Sequence, residues 1–219
     1  MPMDFLFQLI MKIISATVGG LLIVLAGITT VTSCSKTDRI GGFWQGTPER
    51  IHNLPSASDA TSTISIDFGP RESAKGEGDV VLSAVIEIQQ ALAGLPDTEA
   101  MQAPMQASVS ATAQIEGKYI AEERDDDDLL LSLDPTTMTV TVDPAGVMLS
   151  ENLLTGADRS TLDSLTAATA ERWRVLLTPI VRERFYSYRK IEDVKVHHSD
   201  MMSCEVADRD LTFRRMAQN

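Results

Sequence analysis

The chain has 219 residues, of which 31 are acidic and 19 are lysine or arginine, giving a formal net charge of −12 at pH 7. This length is sufficient for one domain with a buried core. The negative charge argues against general nucleic-acid binding, which needs basic side chains to displace counterions from phosphates. It also disfavours electrostatic docking onto anionic lipids.

The N-terminal segment has the layout of a secretory signal peptide. Lys12 precedes a long apolar run over residues 13–31, and small residues dominate the end of the run. A retained membrane helix is the alternative, because the run approaches the minimum of about 20 residues that spans a bilayer. Three glycines inside the run and the lack of a basic cluster just after it favour a cleaved signal.

The end of this segment, Val31-Thr32-Ser33-Cys34, resembles the lipobox of bacterial lipoproteins. The resemblance implies cleavage before Cys34, a diacylglycerol on the Cys34 thiol and, usually, an acyl chain on the new amine. More than one acyl chain anchors a protein stably. Cleavage without lipidation is the remaining alternative.

The same resemblance implies a location in the cell envelope. Ser35 follows the cysteine, where an aspartate commonly retains lipoproteins at the inner membrane. We therefore expect an outer-membrane anchor, and the sequence leaves open whether the protein faces the periplasm or the outside. The expected organisation is a signal peptide over residues 1–33, a lipidated tether over 34–41 and one domain over 42–219.

The domain consists mainly of short segments typical of β-strands. Apolar and polar residues alternate with period two, and turn residues separate the segments. The predicted strands are 42–46, 64–68, 80–90, 108–121, 129–133, 138–142, 193–197, 201–206 and 210–214. The predicted loops and turns are 47–62, 70–79, 91–107, 122–128, 134–135 and 143–146. Short connections between the three central strands indicate an antiparallel meander.

One helical segment interrupts the strands near residues 160–187. Its apolar stripe, with spacings mostly of three and four residues, consists of Leu162, Leu165, Thr169, Trp173, Leu176, Leu177 and Ile180. Ser160 and Asp163 resemble a capping box. Thr178-Pro179 predicts a break, with proline at the first position of a second helix. We expect helices over 161–177 and 179–187.

The start of the domain, Gly42-Phe43-Trp44, is similar to the Gly-X-Trp of the first strand in lipocalins and related calycin barrels. The pattern of residues 115–119, 129–135 and 140–143 resembles that of lipocalin-like lipoproteins of Bacteroides-type bacteria. The resemblance implies an antiparallel up-and-down β-barrel around an interior cavity, with the tryptophan packed across one closed end. The predicted helix departs from the family, because three strands follow it.

The strand pattern predicts the same fold class without the resemblance. Short strands bounded by turn signals, with no regular alternation of strands and helices, indicate a barrel or a sandwich. Closing the sheet removes exposed edges. The sequence therefore predicts a mainly β protein, an antiparallel barrel with one helical insertion.

The acidic run and the histidines are the first candidates for chemistry. The four aspartates at 125–128 lack the alternate spacing of a calcium loop, so we interpret them as a solvated hairpin tip. Adjacent residues of a strand point to opposite faces, so His197 and His198 are poorly placed to share a metal ion with Asp200. His52 has no partner that spacing assigns. Without a Gly-X-Ser-X-Gly elbow either, we expect no enzyme activity, catalytic residue, metal or cofactor.

Cys204 is interpreted as a small buried hydrophobe that shares a strand face with Met202 and Val206. With Cys34 lipidated, no intramolecular disulfide is available. Tyr186 and Tyr188 are expected either to line a pocket mouth or to pack in the core.

Basic residues are concentrated around the helix, at Arg172, Arg174, Arg182, Arg184, Arg189 and Lys190. One interpretation is the polar face of an amphipathic helix. The other is a site for phosphate head groups, a glycan or an acidic partner.

Two functions remain open for the predicted barrel. The first is binding of a small apolar or amphiphilic ligand in an interior cavity. The second is a structural or accessory lipoprotein, with a solid interior, that docks another envelope protein; small barrels often have filled interiors. A hydrolase is the weakest hypothesis, because no convergent catalytic groups are visible. We expect a membrane partner through the acyl chains and no nucleic acid.

Overall fold

The computed structural model describes residues 39–52, 54, 57–72, 77–91, 106–121, 127–149 and 158–217. The strands of this part of the chain are β1 (Gly42–Gly46), β2 (Glu49–Arg50), β3 (Ala57–Glu72), β4 (Glu77–Ala91), β5 (Gln106–Ala121), β6 (Leu129–Leu133), β7 (Thr139–Leu149), β8 (Lys190–His197), β9 (Met201–Glu205) and β10 (Asp210–Arg215). One long helix, α1 (Arg159–Ser187), separates β7 from β8. All described residues belong to a compact unit that spans Lys36–Asn219, here called the barrel unit.

Eight of the described strands form a closed antiparallel ring. Their order is β1-β10-β9-β8-β6-β5-β4-β3, and β1 pairs with β3 to complete the ring. Trp44 of β1 lies opposite Arg215 of β10 on one side and Ile66 of β3 on the other. The prediction of a mainly β, up-and-down barrel with one helical insertion is confirmed. Because the ring closes on its own core, we expect the barrel unit to fold independently.

The ring is joined by few residue pairs on one side, where β5 pairs with two different strands. Residues 117–121 of β5 pair with β6, whereas residues 107–114 pair with β7. β6 in turn pairs with β8 only at Leu129 and Leu130, and β7 is off the path of the ring. Helix α1 packs against β7 and β5. The helix therefore lies on the side of the barrel where β5 is shared between β6 and β7.

The inner face of the sheet has small residues where the helix packs. On β4, Leu82, Ala84, Ile86 and Ile88 are all buried, as their alternation predicts. Ala84 lies directly opposite Ala113 of β5, and both are buried. Two methyl-sized side chains on adjacent strands leave space inside the barrel that larger residues would fill. The helix and the cavity described below share this space.

Helix α1 begins two residues earlier than expected and does not break. Its N-cap is Asp158, whose side chain accepts a hydrogen bond from the Thr161 amide at 2.8 Å. The predicted Ser160 cap is therefore wrong, and so is the predicted break at Pro179, which lies inside the helix. The Thr178 hydroxyl donates to the carbonyl oxygen of Arg174 at 2.7 Å.

Packing on the barrel explains why the helix continues past Pro179. An interior proline costs about 3 kcal/mol because it removes a hydrogen bond and clashes with the preceding turn. Val181 and Phe185, which follow it, are almost completely buried, and full burial of such a side chain contributes about 1.5–3 kcal/mol. Together these two contacts offset the local cost.

Several predicted turns are parts of strands. The segment 143–146 lies within β7, and a register shift between Val109 and Ala111 of β5 marks a bulge beside it. The predicted loop 47–62 contains β2 and the start of β3, and the predicted turn 70–79 is shortened by β3 and β4. The long ladder of paired residues between β3 and β4 holds the polar residues at the ends of these two strands in the sheet. The centre of the predicted loop 91–107 lies outside the described residues.

Trp44 connects the residues before β1 to the barrel. It is fully buried, and its indole Nε1 donates to the carbonyl oxygen of Ile40 at 2.5 Å. The Arg215 guanidinium lies 4.5 Å from the centre of the Trp44 ring and donates to the carbonyl oxygen of Arg39. Arg39 and Ile40, which fall within the predicted tether, therefore contact the barrel.

Tyr119 of β5 packs over Gly78 of β4, and we predict that Gly78→Ala destabilises the fold. The phenol of Tyr119 donates to the carbonyl oxygen of Gly69 at 2.8 Å, and its ring makes an edge contact with Phe68. A Cβ on Gly78 would lie 2.5 Å from the Tyr119 ring. Displacing this buried ring is expected to cost about 1–3 kcal/mol of unfolding free energy.

Urea unfolding of the Gly78→Ala variant measures this loss. Gly41→Ala is the control, because a Cβ there would meet nothing closer than 3.9 Å. Equal stability of the two variants would contradict the close packing of Tyr119 on β4.

Candidate functional site

A cavity of about 440 Å³ lies between the C-terminal half of α1 and the inner face of β3 and β4. Ile64 of β3 and Ala84 and Ile86 of β4 form a buried apolar floor. Ile180 and Val181 of α1 form the opposite wall. This volume lies within the range of about 300–1,000 Å³ that is typical of small-molecule sites.

The mouth of the cavity is polar. Arg50, His52, Glu183 and Ala207 line the cavity and are exposed to solvent. They come from β2, the segment after it, α1 and the loop between β9 and β10. An apolar floor below a charged mouth suits a molecule with one apolar and one polar end.

Glu49, Arg184 and Arg209 form an ion-pair cluster at this mouth. Oxygen Oε2 of Glu49 pairs with Nη2 of Arg184 and lies 3.2 Å from Nη1 of Arg209. The side chains are 27%, 27% and 40% exposed for Glu49, Arg184 and Arg209 respectively. One carboxylate is thus shared by two guanidinium groups from different elements of the fold. Both arginines line the cavity.

Arg184 is the most buried cation of the cluster. Its Nε is inaccessible to solvent and has no hydrogen-bond partner among the described residues. Burial lowers the pKa of Arg184, the neighbouring Arg209 charge lowers it further, and the Tyr188 phenol has the opposite effect. Arg184 thus keeps one buried N–H donor while its guanidinium contacts Glu49 and the Tyr188 phenol.

A tight turn between β9 and β10 brings Arg209 to the cavity. The amide of Val206 donates to the carbonyl of Arg209 at 3.0 Å, and the reverse bond is 3.2 Å long. The two residues between them, Ala207 and Asp208, have φ angles of 50° and 60°. A two-residue hairpin turn of this kind favours asparagine and glycine, so these side chains hold a costly backbone conformation.

Five of the six basic residues predicted as a group lie outside the cavity lining, and Arg184 is the exception. Arg174 pairs with Glu171 at 2.7 Å, and the Arg189 guanidinium lies 4.2 Å from the centre of the Tyr186 ring. Lys190 pairs with Asp128 and Glu192, and Arg172 and Arg182 are exposed. The basic residues that were predicted as one group therefore make separate contacts in the structure.

The aspartate run at residues 125–128 is not a fully solvated hairpin tip. Asp128 is only 9% exposed, accepts a hydrogen bond from the Asp193 amide at 3.1 Å and pairs with Lys190 at 3.1 Å. That interpretation is therefore wrong for Asp128, because it bridges β6 and β8. Asp125 and Asp126 lie outside the described residues.

The predicted histidine candidates separate in the structure. Nε2 of His197 lies 3.0 Å from the Ser203 hydroxyl, whereas His198 is exposed in the following turn with Asp200. Within the described part of the chain, no three histidine, cysteine or acidic side chains are grouped as metal ligands. His52, which had no assignable partner, lies at the cavity mouth.

The sequence analysis missed most of the charged residues in and beside the cavity. Glu49 and Arg50 lay in a predicted loop, and Arg209 lay between two predicted strands. Glu49 contacts Arg184 and Arg209 only through long-range folding, since Glu49 and Arg209 are 160 residues apart. Only the density of arginine in α1 pointed to this region.

Cys204 and Tyr188 are buried beside the cavity, with 4% and 1% of their surfaces exposed. The prediction that Cys204 is a buried hydrophobe beside Met202 and Val206 is confirmed, because all three are buried. Tyr188 packs in the core, whereas Tyr186 is partly exposed.

We predict that stability falls as the pH rises above about 9. Burial raises the pKa of the Cys204 thiol from 9.0 to about 12, and burial is the main cause that raises the pKa of the Tyr188 phenol from 10.0 to about 12. The unfolded chain releases both protons at lower pH than the folded protein. The stabilisation is therefore complete below pH 9 and is lost progressively towards pH 12.

Urea unfolding at a series of alkaline pH values measures this loss. The double variant Cys204→Val, Tyr188→Phe removes both titrating groups and is expected to have a flatter profile. An equally steep loss in the double variant would assign the effect to other residues.

Cys34 and the predicted signal peptide lie outside the described residues. No helix in the described ranges combines the length and the apolar composition that crossing a bilayer requires. No protein-family model, curated protein or solved structure matches the chain.

Proposed function

We propose that this protein is a lipid-anchored envelope lipoprotein whose barrel binds a small amphiphilic molecule in the cavity beneath α1. The cavity is the single observation that carries the binding role. The anchor rests on the lipobox-like residues ending at Cys34.

The shape of the cavity supports ligand binding over a solid interior. Its floor is made by buried aliphatic residues, and Ala84 leaves space there that a larger side chain would occupy. An apolar ligand group that fills this space gains about 25 cal/mol for each Å² removed from water. The charged mouth then keeps the polar end of the ligand in contact with solvent and with arginine side chains.

The proposed anchor is compatible with the start of the barrel unit. Arg39 and Ile40 contact the barrel through Arg215 and Trp44. Only five residue steps separate Arg39 from Cys34, and an extended chain covers at most about 3.6 Å per residue. Acyl chains on Cys34 would therefore hold the barrel within about 20 Å of the membrane. Ser35, in place of the aspartate that commonly retains lipoproteins at the inner membrane, favours an outer-membrane location, as the resemblance implies.

The proposal is one of binding without catalysis. Two guanidinium groups at the cavity share the carboxylate of Glu49 in ion pairs. Such groups orient an anion. The small-molecule role is preferred over docking of an envelope protein because a cavity of this size is present.

We predict that Ile180→Trp blocks ligand binding. Ile180 lines the cavity from α1, so a larger ring there would occupy the space of the ligand. Leu176→Trp is the matched control, because Leu176 lies one turn earlier and is also partly buried, but it does not line the cavity. Fluorescence titration with N-phenylnaphthylamine, a neutral apolar probe, compares the two variants with the unmodified protein.

The expected result is a loss of affinity of about tenfold or more for Ile180→Trp, the effect of losing a well-filled apolar site. Leu176→Trp is expected to retain the affinity of the unmodified protein. A second test is native mass spectrometry of protein purified from its own host, where a bound small molecule is expected. No probe binding and no bound molecule would contradict the proposed function.

We predict that Cys34→Ser prevents lipidation and leaves the precursor uncleaved. A hydroxyl at this position does not accept the diacylglycerol that the resemblance requires before cleavage. Metabolic labelling with a radioactive fatty acid and membrane fractionation measure the effect. Cys204→Ala is the control, since this buried cysteine is expected to leave labelling unchanged. Normal labelling and maturation of Cys34→Ser would contradict the anchor.

A further inference from the structure

We propose that Arg184 and Arg209 recognise the carboxylate of an amphiphilic monocarboxylate, and that Glu49 holds this carboxylate site in the free protein. The inference rests on the proposed function, because it identifies the class of ligand that the cavity takes. The two arginines form the site for the head group, and the carboxylate of Glu49 competes with the ligand carboxylate for them.

The geometry of the cluster leaves a buried hydrogen-bond donor unused among the described residues. Each guanidinium carries about five N–H donors, whereas a carboxylate offers about four acceptor positions. Arg184 and Arg209 both engage the same oxygen, Oε2 of Glu49. The buried Nε of Arg184 has no partner among the described residues. The Tyr188 phenol also hydrogen-bonds Arg184. The donor that is left over in the described part of the chain is therefore the buried Nε of Arg184.

The charges of the mouth are balanced in the free protein. Arg50, Arg184 and Arg209 line the cavity, and Glu183 is the acidic residue among its lining. Glu49 pairs with Arg184 and Arg209, and Asp59 pairs with Arg50. A ligand carboxylate would therefore replace Glu49 on the two arginines and leave the local charge balance unchanged.

The position of the cluster selects an amphiphile rather than a free anion. Ile180 and Val181 precede Arg184 by about one helical turn and line the same cavity. Ile64 and Ile86 continue the apolar surface away from the arginines. A carboxylate held at the mouth would therefore have its aliphatic chain directed along the floor.

We choose a carboxylate as the head group because the two arginines already bind the carboxylate of Glu49. Glu49 comes from β2, a strand of two residues that pairs only with β3 among the described strands. Its side chain reaches across to α1 and to the turn before β10. A ligand carboxylate would offer the same planar pair of oxygens to the same planar forks.

The test is isothermal titration calorimetry of the barrel unit with decanoate, with decanol and with acetate. Decanol has the same chain with a neutral head, and acetate has the head without the chain. Decanoate is expected to bind at least about tenfold more tightly than decanol, the usual gain from charge-assisted hydrogen bonds. Acetate is expected to show no measurable binding at the same concentrations.

Two single substitutions separate recognition from a structural role. Arg209→Gln is expected to reduce decanoate affinity to about that of decanol, without changing the affinity for decanol. Glu49→Gln is expected to increase decanoate affinity several-fold, because it removes the internal competitor. Glu183→Gln is the matched control. It removes one negative charge from the same mouth without freeing the two arginines, and its effect is expected to be clearly smaller.

Folding of each variant is checked by circular dichroism. If Arg209→Gln does not fold, Arg209→Lys retains the charge but not the planar fork, and it is expected to bind decanoate less tightly than the unmodified protein. Equal binding of decanoate and decanol, or weaker decanoate binding by a folded Glu49→Gln variant, would overturn the carboxylate site. In that case intact binding of N-phenylnaphthylamine would leave the proposed function standing, whereas its loss would remove both.

Discussion

The packing of α1 against β5 and β7 is the constraint on which the other features depend. Its centre is Trp173, which is fully buried and donates from Nε1 to Oε1 of Gln90 at 2.8 Å. Gln90 is itself only 4% exposed. A buried amide left without its partner would cost about 1–3 kcal/mol. This bond therefore selects one rotation of the helix and with it the direction of Val181 and Arg184 towards the cavity.

The cavity is a consequence of how this helix and the ring share the interior. Ala84 and Ala113 are small, whereas Trp44, Phe68 and Phe213 are large, and all five are buried. A helix of roughly 10 Å diameter does not follow the surface of the twisted sheet closely over its full length. The remaining gap lies where the C-terminal half of α1 faces β3 and β4. The cavity thus lies where small side chains of the sheet face the helix.

The sequence predicted the parts of this architecture that depend on local pattern. Alternation along β4 and β5 indicated both the strands and their buried faces, because every second residue of a strand faces the core. The continuity of α1 through Pro179 was not predictable in this way, since contacts of Val181 and Phe185 with distant strands offset a local penalty. The same holds for Glu49, whose partners are determined by the closure of the whole barrel.

Strand β3 connects the residues around Trp44, here called the Trp44 layer, to the cavity floor. Ile66 lies opposite Trp44, and Ile64, the next inward position, lines the cavity. Successive inward residues of a strand are about 7 Å apart, so the Trp44 layer directly supports the floor. The first residues of the barrel unit contact this layer through the carbonyl oxygen of Ile40, which accepts a hydrogen bond from Trp44. A change in the Trp44 layer would therefore be transmitted to the ligand site through β3, although no residue of that layer needs to contact the ligand.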